Sequence, residues 1–277
     1  PGQFIIGAFA AVYVGVKWTF LPGSIHWLVA ILAAFAAGGL WAVIPGVMKA
    51  YLNVNEVISS IMMNYIGMYL VNYSVSLVLF DALRNQSLPV ATTAVIPKMG
   101  FDKIFTGSPA NGGFVIAILF VILIYIILNK TSFGYEMKAC GFNKDASKYA
   151  GINEKRNIIL SMVIAGALAG VGGGLLYLSG SGKFIEVVDV LPAEGFNGIP
   201  VALLGLSNPI GVLFAGLFIA YLNVGGNAMQ QFGFIPQIVD IIISCIIYCS
   251  ALSLMIKVWL SKRRKTKELG TAKKEGE

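Results

Sequence analysis

Charge is scarce in this chain. Of 277 residues only 12% are Asp, Glu, Lys or Arg, about half the fraction of a typical soluble domain, and that excludes an ordinary water-soluble globule. Histidine is scarcer: His26 stands alone, so no Ser-His-Asp set can be assembled, and its place at a span boundary reads as interfacial. The three cysteines, Cys140, Cys245 and Cys249, lack the His or acidic neighbours of a metal site and read as small packing residues. Carboxylates are nearly missing from the apolar runs. Asp240 is the one acidic residue well inside such a run, with Glu56 at a boundary, whereas an ion-coupled carrier usually gathers several ionisable groups at midplane. Asp240 either caps its helix and complements the dipole or couples an ion gradient in a secondary transporter or channel. A nucleotide site is lacking too. "GSGKF", Gly180–Phe184, invites a P-loop reading, but Tyr177 takes the place of the first glycine and Phe184 that of the magnesium-holding hydroxyl. No catalytic, cofactor-binding or metal-binding residue is expected, nor a nucleic-acid partner.

Apolar residues fill what is left, at 57% of the chain. Runs long enough to cross a hydrocarbon core of roughly 30 Å predict an all-α, polytopic bundle of transmembrane helices in contact with lipid. The expected spans are 4–20, 27–48, 58–80, 114–128, 158–179, 199–223 and 234–258. Residues 1–260 read as one membrane domain, with an irregular loop at about 81–113 and a basic tail at 261–277, expected to be disordered. Gly166, Gly170 and Gly174 recur every fourth residue, as do Gly7, Ala11 and Gly15, and such rows let helix backbones approach closely. Pro1 opens the sequence without Met or a signal-peptide pattern, so the chain reads as N-terminally truncated.

Orientation follows from Lys and Arg. Residues 130–157 carry six basic side chains against three acidic, and the tail from Lys257 carries eight against three. Both are expected in the cytoplasm, with the 81–113 loop outside. Two cytoplasmic segments need an even number of crossings between them, yet three spans lie there. A break at Ser207-Asn208-Pro209, a helix-start signal, restores the parity by splitting 199–223. A single kinked span is the other possibility, and it would leave the tail outside. Broken helices at membrane depth are tolerated where protein or a water-filled cavity satisfies the backbone, which makes Asn208 a candidate for the solute path. Asn64 and Asn72, eight residues apart on one helix face with Tyr65 close by, suit an uncharged ring-bearing solute such as a sugar or nucleoside. Interhelical hydrogen bonding with no solute would use the same groups.

The most polar stretch inside the apolar sequence is "GFNKDASKYAGINEKRN", residues 141–157. Asn143 is a good N-cap, Asp145 offsets the positive helix end, and Gly151 can close the helix in a left-handed conformation. A helix of about seven residues, some 10 Å long, is expected over Lys144–Ala150. It sets Ala146, Tyr149 and Ala150 on one side and Lys144 and Lys148 on another. Asn153 can cap the helix that follows. The stretch is either a docking knob for a cytosolic partner or a solvated loop at the headgroups.

"GFNKDASKYAGINEKRNIILSMVIAGALAGVGGGL" resembles the G-x-N-x-x-A-x-x-x-G-I-N stretch and following Gly/Ala helix of ABC importer permeases of the branched-chain amino acid, ribose and nucleoside group. "NVNEVISSIMMNYIGMYLVNY" and "GFNGIPVALLGLSNPIGVLFAGLF" resemble the nucleoside and simple-sugar branch. At the start, Gly2-Gln3 match the family and Pro1 stands where an acid is common. The resemblance implies a permease subunit with upstream helices absent from this sequence. It also implies that 141–157 is the cytoplasmic coupling segment, seated in a separate ATPase subunit that binds ATP and magnesium. A second permease subunit and an external solute-binding protein complete the implied assembly.

Overall fold

Asparagine and threonine side chains start half of the α-helices described. The computed structural model describes residues 1–104 and 110–233, and beyond them 235, 237–238, 241–246, 248–249 and 252. In chain order the helices are α1 Gly2–Lys17, α2 Gly23–Leu52, α3 Glu56–Val78, α4 Phe101–Ile104, α5 Gly113–Lys130, α6 Ser132–Phe142, α7 Lys144–Tyr149, α8 Glu154–Tyr177, α9 Glu194–Leu204 and α10 Pro209–Met229. Asn55 caps α3 through the Val57 amide at 2.9 Å, Thr131 caps α6 through Gly134 at 3.1 Å, and Asn153 caps α8 through Arg156 at 3.1 Å. Each cap satisfies one amide that a helix start leaves orphaned. Four helices, α2, α3, α5 and α8, together with the stretch Pro209–Phe232, are long and apolar enough to cross a membrane. The expectation of an all-α polytopic protein is met.

The chain divides into two units, Pro1–Phe196 and Asn197–Glu277, each described by itself. In the first, α1, α2 and α8 all pack against one another, and the rows of small residues explain how closely. A side-chain carbon on Gly170 would overlap the Ala34 carbonyl oxygen, and one on Gly38 would overlap the Gly166 carbonyl oxygen. Gly7 lies against Gly170 in the same way. With little hydrophobic drive between helices in lipid, such van der Waals contact is what holds them. Around it, Ala11, Val14, Ala30, Ile31, Ala34, Val171 and Leu178 form a buried cluster.

The loop after α3, expected as irregular surface, is partly core. A short antiparallel pair joins Phe80–Asp81 to Gln86–Ser87. Ala94 and Ile96 are buried because the backbone docks on the helix ends, with Ala91 N donating to Gly15 O at 2.9 Å and Ile96 N to Leu178 O at 3.0 Å. His26, in the first turn of α2, is fully buried, with Nε2 donating to Val14 O at 3.0 Å and Nδ1 paired with Thr93 Oγ1 at 2.8 Å. A carbonyl only accepts, so Nε2 carries a proton. Cys245 and Cys249, read as packing residues, are exposed.

In the second unit the expected break is present. Leu206 and Ser207 have φ of 53° and 54°, in the left-handed region. Asn208 then accepts from Ile210 N at 3.0 Å, and Pro209 opens α10. Most of the expected final span, and all of the tail 261–277, lie outside the described residues.

Candidate functional site: an exposed knob between two spans

Three consecutive helices build the feature that the charged stretch foretold. α5 ends at Lys130, α6 begins two residues later, and α7 follows Asn143, whose side chain accepts from Ala146 N at 3.0 Å. Gly151 has φ of 78° and reverses the chain, as expected. The Ile152 amide donates to Ser147 O at 3.1 Å, and α8 starts from its Asn153 cap. Ser147 is the buried side of α7. Its hydroxyl donates to Lys144 O at 2.7 Å and receives Cys140 Sγ at 3.4 Å.

The other side of α7 is open. Tyr149 is 95% exposed and Phe142 91% exposed, with Ala146 and Ala150 also exposed. A short helix cannot hold itself in water, so it is held from behind. Asn157 at the start of α8 is buried, and its Nδ2 donates to Glu136 Oε2 of α6 and to Asn153 O, both at 3.1 Å. Lys144 stands 3.9 Å from Glu154. Lys155 lies over the Tyr51 ring, 4.7 Å from its centroid, and ties α8 to the end of α2. Between α6 and α7 is a cleft of about 480 Å³, lined by Tyr135, Phe142, Ala146 and Ala150 among others. Asp145 and Lys148 are exposed on α7. Exposed aromatic groups, carried on a braced helix and rimmed by charge, have the make-up of a protein-docking patch.

The solute-path candidates do not gather in one place. Asn64 is buried, and its Oδ1 accepts from Gly2 N at 2.8 Å. Asn72 is buried, and its Nδ2 donates to Val188 O at 2.9 Å and to Asp189 Oδ1 at 3.3 Å. Tyr65 is 49% exposed and points away from that face. Asn208 is an exposed cap in the second unit. Asp240 lies outside the described residues. On α3 the exposed ring-bearing residues are Tyr65, Tyr69 and Tyr73. Their spacing of four was legible in the sequence, though only the first was singled out.

Several helices long and apolar enough to cross a membrane, joined by a short exposed helical segment, define a multi-pass membrane protein. The comparisons say which one. Residues 1–251 match the family model described as the permease component of branched-chain amino acid transport systems, and the chain belongs to that family. It is 38% identical to the guanosine ABC transporter permease protein NupP of Bacillus subtilis, over 95% of this chain and 75% of that protein. It is 34% identical to the nucleoside ABC transporter permease protein NupB of Lactococcus lactis, over 100% and 77%. It is 31% identical to a glucose ABC transporter permease protein of Haloferax volcanii, over 89% and 66%. No solved structure matches the chain. The protein is a permease subunit of an ATP-driven importer.

Proposed function

We propose that this subunit carries nucleosides or related simple sugars inward and that Asn143–Gly151 is the handle through which a separate ATPase moves it. The observation that carries the reading is the 95% exposure of Tyr149 on a helix braced by Asn157 and Glu136. The solute class rests on the relatives, whose names specify guanosine, nucleosides and glucose. ATP and magnesium belong to the partner ATPase. The knob and the basic tail lie in the cytoplasm, as the excess of Lys and Arg argues. A second permease subunit encloses the path with this one, and an external binding protein delivers solute. Closure of the ATPase dimer biases the permease between outward- and inward-open states only through contacts that differ between them; the knob is where those contacts form. The ion-gradient alternative hangs on Asp240 alone, and the three relatives named above, each an ABC transporter permease by name, do not favour it.

The test is a pull-down. Tyr149→Asp with Ala150→Asp places two charges on the aromatic cap and leaves the spans untouched. The ATPase should fall at least tenfold in co-purification from detergent extracts while the permease inserts at its normal level. Undiminished co-purification removes the handle.

A further inference from the structure

Between Tyr177 at the end of α8 and Glu194 at the start of α9 the chain is not helical, yet it does not stay at the helix ends. Gly180 and Gly182, with φ of 70° and 74°, turn it back. It pairs first with the loop after α3, Ser87 N donating to Ile185 O at 2.8 Å and Val187 N to Asn85 O at 3.2 Å. Lower down, the Asn72 side chain holds Val188 O. Gly195 then lies against Pro1, whose neighbour Gly2 is bonded to Asn64. Along α3, a helix of about 34 Å, Asn72 and Asn64 stand about 24 and 12 Å from Glu56 at 1.5 Å per residue. The strap therefore descends about 12 Å between those levels, into the middle of the span.

Irregular backbone at that depth is tolerated where it is buried in protein or lines an aqueous cavity. A cavity of about 450 Å³ is lined mostly by the strap itself, with Ile5, Gln86 and Tyr177 completing it, and it is within the size range of small-molecule sites. Ile5, Phe184, Val190 and Leu191 supply apolar wall, and Lys183, Glu186 and Glu194 supply charge. Lys183 Nζ donates to Glu194 Oε1 at 3.1 Å. A carboxylate has about four acceptor sites, and Lys183 occupies one. One positive and two negative side chains repel a phosphate and leave acceptors for hydroxyls.

We propose that the strap Gly180–Glu194 walls a solute cavity open to the outer side, in which the apolar wall takes a ring and the Glu194 carboxylate accepts hydrogen bonds from the vicinal hydroxyls of an uncharged sugar. The proposal rests on the importer reading above for its solute and its sidedness. It selects nucleosides over nucleotides, because the site offers acceptors where a phosphate needs donors.

The complex of this chain with its partner permease and ATPase, in proteoliposomes with the binding protein, tests it. Val190→Trp fills the cavity and Glu194→Gln removes the carboxylate charge; each should lower guanosine uptake at least tenfold while the ATPase still co-purifies. With the three native cysteines replaced by serine, Val190→Cys should react with a membrane-impermeant maleimide from outside. Guanosine should slow that reaction at least fivefold and guanosine monophosphate should not. Uptake unchanged in both variants, or labelling that guanosine does not slow, overturns the cavity and leaves the importer reading standing. A wild-type complex that takes up neither guanosine nor glucose overturns both.

Discussion

Asn157 shows how much one side chain can join. It is buried at the first turn of α8 and donates both to the Glu136 carboxylate and to the Asn153 carbonyl. It therefore links the helix that carries the knob to the helix packed deepest in the first unit. Replacing it by leucine leaves a half-buried carboxylate without its donor, at a cost of about 1–3 kcal/mol. The expected result for Asn157→Leu is a lowered melting temperature in detergent and ATP hydrolysis that no longer responds to solute, with the ATPase still bound. Equal loss of binding and of response would make the residue a general fold determinant rather than a link. The caps at this scale were partly legible in the sequence: Asn143 and Asn153 were each expected as caps from position and act so, while Asn208, read as part of a break and a solute-path candidate, caps α10. What could not be read was the fate of Asn64 and Asn72. Their common face follows from helical period, but whether an amide meets solute or neighbouring backbone depends on chain that arrives 62 and 116 residues away in sequence.

Among the elements, α8 carries the packing. Its glycine row meets backbone on two sides, so any added bulk has nowhere to go. Gly170→Leu would place carbon on the Ala34 carbonyl oxygen and near Gly38, and overpacking of this kind costs about 1–3 kcal/mol even where neighbours relax. Loss of detergent-stable protein by size-exclusion fluorescence is expected for Gly170→Leu. Gly172→Leu, on the more open side of the same helix near Phe4, should be tolerated. Equal behaviour of the two would show that the row is incidental. The fourfold recurrence of small residues announced this contact, because it marks a ridge whichever helices meet it. It could not say which ones. The parity argument likewise placed the α9–α10 break at Ser207-Asn208-Pro209, while the strap before α9 left no trace in the sequence. Its backbone is held by Ser87, Asn85 and Asn72, partners that no local pattern announces.

For the molecule as a whole, the asymmetry of charge predicts which face is cytoplasmic. With Lys49 in the loop between the second and third expected spans, fifteen of the twenty basic residues fall in segments expected on one side, and the loop that begins with Phe80–Asp81 falls on the other. A short epitope inserted between Arg84 and Asn85 should be reached by antibody on intact cells, and one inserted after Gly141 only after permeabilisation. The reverse pattern would invert the subunit and take the ATPase away from the knob. The helical class and membrane character were plain from composition, since long uncharged runs have few other uses. The identity of the solute was not, because Asn, Tyr and Glu hydrogen-bond to many compounds, and the choice among them is made by shape.

The uncovered rings of Tyr149 and Phe142 also bear on how the cell keeps count of its subunits. On the docking proposed above, each newly made copy carries, until its ATPase covers it, a greasy tip of the kind that chaperones and membrane proteases seize upon. Surplus permease should then be short-lived, and its lifetime should lengthen as its motor becomes abundant.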